Sequence, residues 1–399
     1  MYLSQYLRPE ISRMHNIKFW YTYLIAVVFM FQTLLVAYSS STYMGGFINP
    51  SYIGLLYSVG SLFSIFIFLS LPALLRQFGN VLVTLVLMLG SIITLWFVGS
   101  GLSAFIVIVS FVAFQALNPL IHLNIDIFSE TLIGKREGGT GHKRGLALAL
   151  MSGAALAAPL LMGYLVGEGN DLAQLYTVAI VLGLLFMVII VGVFRHFYDP
   201  EYTVIKCSTL IKSAWRTIDI RIVMMTHFIL QIFFTWSMIY IPLYLKTVVG
   251  LSWSAIGYII AAGLFSYLVW EYPIGIMADN YWGEKEMMAV GFLILAITSA
   301  GITALATTVT VMWMLLMFVS RLGASLVEVT TESYFFKKVD GQDAELISLF
   351  RLMRSLATLL GALLGSVTLL FLPFKLAFLV LALCMTIGIF LTLFLHDTK

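Results

Sequence analysis

Apolar runs of about 20 residues, each closed by a short polar segment, follow one another along the whole chain. They fall at 17–38, 51–71, 80–99, 103–125, 144–166, 174–194, 219–245, 253–277, 287–306, 309–331, 344–371 and 375–395. Period-2 alternation is missing, and lipid satisfies no backbone polar group, so the runs predict helices and not the strands of a barrel. The expected fold is an all-α polytopic membrane protein of twelve transmembrane helices. One hydrophilic interruption stands out: residues 273–286 read PIGIMADNYWGEKE, between IGYIIAAGLFSYLVW and MMAVGFLILAI.

Composition agrees. Hydrophobic residues make up 61% and charged ones 10%, with a mean hydropathy of +1.01, too few charges for a water-facing surface. The first run lacks a small-residue cleavage site and is too long for a signal-peptide core, so it is expected to be retained. Lys and Arg collect on one side: Arg8, Arg13, Lys18, Arg76, Lys135, Arg136, Lys143, Arg144, Lys285, Lys337 and Lys338, against Lys246 and Lys375 on the other. The positive-inside rule then puts both termini in the cytoplasm, in a plasma (inner) membrane protein. The net charge of +3 is split among short loops, which argues for topology and against nucleic-acid binding. The longest polar connection, 195–218, carries Arg195, Lys206, Lys212 and Arg216. It divides the chain into an N-terminal six-helix half (1–194), a cytoplasmic linker and a C-terminal six-helix half (219–399). Cys207 and Cys384 form neither a disulfide framework nor a zinc site.

The halves echo each other. IGLLYSVGSLFS (53–64) aligns with IGYIIAAGLFS (256–266) with one gap, and Asp126, Glu130 and Arg136 recur at the same intervals as Glu328, Glu332 and Lys338. An even number of spans per half makes the repeats parallel, related by an axis along the membrane normal.

Gly275, Ala278, Asp279, Gly283 and Lys285 resemble the signature loop of the major facilitator superfamily. The first-half copy, LPALLRQFGN (71–80), keeps Gly79 but has Arg76 at the acidic position. The resemblance implies a cytoplasmic latch in which Gly275 admits a neighbouring helix, Asp279 accepts from a helix N-terminus and Lys285 offers an ion pair. Arg351 and Arg354, on the eleventh span, are counted with it. Gly145, Ala154, Ala158, Pro159 and Gly163 are similar in spacing to the antiporter signature of the drug-efflux branch, with alanine at several glycine positions. Small residues there also serve close helix packing, and Pro159 bends the helix. The resemblance favours efflux over uptake.

It also implies that the first, fourth, seventh and tenth spans line a central cavity. Gln115, Asn118, His122 and Asp126 step by 3, 4 and 4 along one face of the fourth. His227, Gln231 and Thr235 do so on the seventh, where Trp236, Tyr240 and Tyr244 lean toward an amphipathic solute. Gln32 lies in the first, Arg321 and Ser325 in the tenth. Hydrogen bonds that merely hold the bundle are the alternative. Unlike many drug-efflux members, the fourth span lacks an arginine and the first an acid. Proton coupling is therefore expected at Glu271 and Glu328, with Asp126 as a further candidate, unless Arg351 and Arg354 pair with the two glutamates. Arg321 lies roughly 18 Å from the outer end of its helix, where a charge costs at least about 2.5 kcal/mol. It either ties helices together, through carbonyls or Glu271, or binds an anionic or acceptor-rich group.

The sequence has no HExxH, no clustered His and Cys and no Gly-flanked catalytic Ser. Neither enzyme activity, metal nor cofactor is expected. The reading is a monomeric secondary transporter that moves a small organic solute by alternating access, with protons as the candidate coupling ion and lipid as its surroundings. The alternatives are uptake of a sugar, nucleoside or organic acid, and a sensor or scaffold that transports nothing.

Overall fold

The computed structural model describes residues 3–133, 140–167, 171–202, 217–339 and 344–396; for 3–19, 133, 140–149, 279–280 and 344–345 it describes backbone alone. The described residues form eleven helical stretches: α1 (Leu3–Met44), α2 (Ile53–Ser100), α3 (Ala104–Ile133), α4 (Thr140–Val166), α5 (Ala173–Phe194), α6 (Ile218–Thr247), α7 (Trp253–Asn280), α8 (Glu284–Ala304), α9 (Thr310–Lys338), α10 (Ala344–Phe371) and α11 (Phe374–Leu393). Ten segments are long and apolar enough to cross a bilayer. The 48-residue α2 is not one continuous helix: Gly79, at φ 75° and ψ 159°, breaks it into two arms matching the second and third predicted intervals. Among the described side chains of α4, Leu150–Val166 is a further apolar stretch.

Helix starts follow from capping. Asn49 Oδ1 accepts from Ser51 N–H ahead of α2, Thr217 Oγ1 from Ile220 N–H on α6, and Ser252 Oγ from Ala255 N–H on α7. Each satisfies a donor that the first helical turn cannot.

Two compact units are present. The first comprises 1–36, 66–158 and 173–204. Its core joins Phe29 and Met88 with Phe128, Phe186 and Phe194. The second comprises 37–65, 159–172 and 205–399, with a core where Val223 and Met224 meet Tyr334, Phe335 and Phe350. This partition differs from a cut at the linker in two places. The end of α1 with the start of α2, and the end of α4, pack with the C-terminal helices through the contacts described below. Of the linker, 203–216, with Lys206, Cys207, Lys212 and Arg216, lies outside the described residues, as do Lys135 and Arg136.

Candidate solute site

In the second unit Arg321 projects from the middle of α9 and is only 9% exposed. Gly263 on α7 makes room for its stem: a Cβ there would stand 3.1 Å from Arg321 Cγ and 3.6 Å from Met317 Cβ. The guanidinium reaches α6, 5.3 Å from the Phe233 ring centre and 5.6 Å from that of Phe234. Such contacts offset part of the cost of burying a cation. Tyr267, whose ring lies 6.3 Å from Phe234, and Tyr38 of α1 are within electrostatic range of Arg321. The Tyr267 hydroxyl lies beside the guanidinium, and the buried Ser325 Oγ has no hydrogen-bond partner among the described residues. Among the described residues no carboxylate pairs with Arg321. Buried charges are almost always paired and buried polar groups satisfied, so a buried cation without a carboxylate beside an unpartnered hydroxyl marks the site.

Toward the other end of α9 lie Glu328 and Glu332, with Glu271 on α7 and Arg351 and Arg354 on α10. Glu271, Glu328 and Glu332 sense one another's charge, and Arg354 acts on both Glu328 and Glu332. Neither Glu271 nor Glu328 forms an ion pair among the described residues. The alternative in which Arg351 and Arg354 pair with the two glutamates is thus not seen among the described residues, where Arg354 acts on Glu328 at longer range.

Several predicted cavity residues are packed instead. His227 stacks on Phe350, ring centres 4.0 Å apart, and its Nε2 lies 3.4 Å from Gln231 Nε2. Thr235 donates to the Gln231 carbonyl and approaches Thr358 at 3.4 Å. This face of α6 therefore meets α10. Tyr240 donates to the Ala362 carbonyl at 2.7 Å and Trp236 to that of Gly361 at 2.8 Å, while Tyr244 packs on Phe374 and Phe378. The aromatic stripe is spent on α10 and α11. Gln32, in the first unit, is buried toward α5, where Gly183 accommodates it, and its amide has no partner. On α3, Gln115 and Asn118 are half-buried, His122 is exposed, and His122 Nδ1 lies 3.6 Å from Asp126.

Two seams in the second unit are built on small residues. The start of α2 meets α10: Leu55 N–H donates to Ser366 Oγ at 3.0 Å, Ser51 Oγ to the Leu369 carbonyl and Ser58 Oγ to that of Leu359. A Cβ on Gly54 would stand 2.0 Å from Tyr240 Oη and 2.1 Å from the Ala362 carbonyl oxygen. The end of α4 meets α7: Ser254 Oγ donates to the Gly163 carbonyl at 3.1 Å. There a Cβ on Gly257 would stand 2.5 Å from the Pro159 carbonyl oxygen, and one on Gly163 2.9 Å from that of Trp253. Pro159 and Gly163 thus have a packing role; the side-chain surroundings at Gly145, Lys143 and Arg144 lie outside the description.

The latch differs from expectation. Among the described residues nothing lies within 4 Å of a Cβ built on Gly275. Gly283 is the N-cap of α8. The ion pair falls one residue before Lys285: Glu284, 1% exposed, pairs with Lys337 and accepts from Ser333 Oγ at 3.2 Å. A second inner-end cluster joins Asp219 to Lys338 at 3.3 Å and to His396 at 2.8 Å. The Asp279 side chain is outside the description.

Sequence reasoning missed two features of the first unit. Asn124 Nδ2 donates to Thr84 Oγ1, and Asn80 Nδ2 to the Asn124 carbonyl, both at 3.0 Å and fully buried. Asp199 Oδ1 accepts from Asn80 N–H at 2.7 Å and from Tyr202 Oη at 2.6 Å. Burial and the adjacent carboxylate push the Tyr202 hydroxyl well above its ordinary range. Arg76, Gly79, Asp199 and Tyr202 edge a recess of about 660 Å³. The signal for the cap was the positive-φ position kept in the first loop copy.

Residues 223–399 match the Major Facilitator Superfamily. No curated protein matches the sequence. The nucleoside transporter NupG is similar in structure, with a TM-score of 0.71 at 12% identity over 94% of this chain and 98% of that one. A bacterial homologue of the iron transporter ferroportin, in an inward-facing state, gives 0.72 at 14% identity over 96% and 98%. A POT family transporter in complex with a thioalcohol-conjugated peptide gives 0.67 at 13% over 96% and 95%. The chain shares the fold of these transporters.

Proposed function

We propose that the chain is a secondary active transporter of major facilitator type that moves a small, amphipathic organic solute by alternating access. In this reading the two arms of α2, together with α4, bring the crossings to twelve, in two six-helix halves, with both termini cytoplasmic. Fold alone does not supply a function. The observation that carries the reading is the buried Arg321, which has no carboxylate partner among the described residues and lies with Tyr267 and Ser325 in apolar helices of a transporter fold. An intramembrane charge of this kind is expected at a solute or ion pathway. Glu271 and Glu328 are the proposed proton-coupling acids. Efflux is favoured by the spacing around Pro159 and Gly163; uptake has in its favour the likeness to a nucleoside transporter.

The test is exchange in proteoliposomes. Saturable counterflow of a labelled organic solute by the purified protein, with its response to an imposed proton gradient giving direction, supports the reading. Failure of every solute class to exchange, with folded protein in the vesicles, leaves the sensor or scaffold.

A further inference from the structure

We infer that Arg321 is the anion-binding centre of the solute site and that its ligand is a small organic monocarboxylate with an apolar body. The inference rests on the transport reading in taking this ligand as the transported solute. Local geometry carries the rest.

A guanidinium has five N–H donors in one plane. Phe233 and Phe234 offer rings to its charge, but a ring face does not use up the donors at the guanidinium edge. No carboxylate is paired with it among the described residues. Gly263 fixes where the edge sits, since any side chain at that position would press on the arginine stem. A planar, bidentate acceptor fits such a fork, and a carboxylate is the smallest organic group that supplies one. Tyr267 Oη, beside the guanidinium, and Ser325 Oγ, buried and without a partner among the described residues, add hydroxyl donors for the same acceptor or its neighbours.

Charge selects a monoanion. Glu328 lies two turns from Arg321 on α9 and Glu271 two turns beyond Gly263 on α7, about 10–12 Å along either helix axis. Arg351 and Arg354 act on that group of acids, and Glu328 also feels Arg321, so the positive charge open to a ligand at Arg321 is at most one. A doubly charged phosphate would bring an uncompensated charge into the apolar bundle, which costs several kcal/mol. The aromatic walls, Phe233, Phe234 and Tyr267, favour an apolar remainder over a polyhydroxylated one.

The test uses the purified full chain in detergent with a panel of monocarboxylates, namely benzoate, phenylacetate, nicotinate and the straight-chain acids from butanoate to octanoate, each beside its primary amide. At least one acid is expected to raise the melting temperature saturably while its amide does not. Arg321→Gln should weaken that acid at least about tenfold. Arg321→Lys, which keeps charge but loses the fork, should weaken it less and still prefer acid to amide. If Arg321→Gln does not fold, the lysine variant carries the comparison. The inference falls if no acid in the panel binds, if amides bind as well as acids, or if the arginine variants keep native affinity. Liposome counterflow separates it from the transport reading. Arg321-dependent acid binding without exchange overturns transport and leaves the site, whereas exchange of a neutral solute, indifferent to Arg321, leaves transport and overturns the site.

Discussion

Glu284 begins α8 almost wholly buried, with Lys337 and Ser333 of α9 directed onto its carboxylate. Its partner is far more exposed: the Lys337 side chain keeps 44% of its surface in solvent. The two halves of this pair are therefore unequal in what their loss leaves behind. Lys337→Met takes the lysine cation away from a buried carboxylate, which costs roughly 1–3 kcal/mol or more for a charged group, whereas Glu284→Gln changes the partner of a side chain already 44% exposed. The melting temperature in detergent should fall further for Lys337→Met than for Glu284→Gln; the reverse order would show that the lysine is not what stabilises the acid. At Glu271 and Glu328 the prediction concerns function. Neither is held in an ion pair among the described residues, so both remain able to exchange a proton with a changing environment. Glu328→Gln, on the more interior of the two positions, is expected to abolish gradient-driven accumulation while sparing solute counterflow. If Glu271→Gln and Glu328→Gln both keep gradient-driven transport, neither acid carries the coupling proton.

The helices themselves were legible residue by residue, because apolar length and polar punctuation are local properties. Their partners were not. Helical phase put Gln115, His122 and Asp126 on one face of α3, but it gave no sign that Asn124, roughly opposite, closes a buried network with Asn80 and Thr84. In the same way His227 and Gln231 share a face, as their spacing says, yet only the fold shows that this face meets Phe350 on α10. The break in α2 is an intermediate case. Gly79 was singled out as the retained glycine of the first loop, and its backbone, φ 75° and ψ 159°, is a conformation essentially limited to glycine. What the loop could not reveal is that Asp199, 119 residues away in sequence, caps the second arm. Asp199→Ala should cost about 1 kcal/mol as a lost cap. Gly79→Ala should cost more, about 1–3 kcal/mol from backbone strain, because its Cβ would also stand 2.7 Å from Asp199 Oδ2. Removing Asp199 relieves that contact, so the double variant is expected to be less destabilised than the two single losses added together. Simple additivity in melting measurements would mean that glycine and aspartate act independently.

At the scale of the whole molecule, the internal repeat read from the sequence falls on two glycines that the structure describes in close contact. Aligned as IG in IGLLYSVGSLFS and IGYIIAAGLFS, Gly54 and Gly257 occupy corresponding places in the two seams of the second unit. Each faces a backbone carbonyl on the partner helix: that of Ala362 on α10 for Gly54, and that of Pro159 on α4 for Gly257. The repeat was visible because both positions tolerate only the smallest residue, a constraint that leaves a mark in the chain itself. Of the partner helices, α4 was marked by the small residues around Pro159 and Gly163, whereas nothing in the sequence marked α10. Both seams lie at helix ends which the charge distribution assigns to the outer face, so in the alternating-access reading they must part whenever the outer side opens. A side chain at Gly257 brings a Cβ to 2.5 Å from a main-chain oxygen, and such a clash is relieved only by moving one helix from the other. Gly257→Val should therefore weaken the closed arrangement without touching Arg321 or the acids. Ser58 reports on this, because it is buried in the α2–α10 seam and donates to the Gly54 and Leu359 carbonyls. With Cys207 and Cys384 replaced by serine, Ser58→Cys is expected to react slowly with a membrane-impermeant maleimide added outside intact cells. Adding Gly257→Val should raise that rate several-fold if the two seams open together. An unchanged rate, in a variant whose own seam is shown to be loosened by labelling at Ser254→Cys, would mean that the seams open independently and that the repeat relates their construction without coupling their motion.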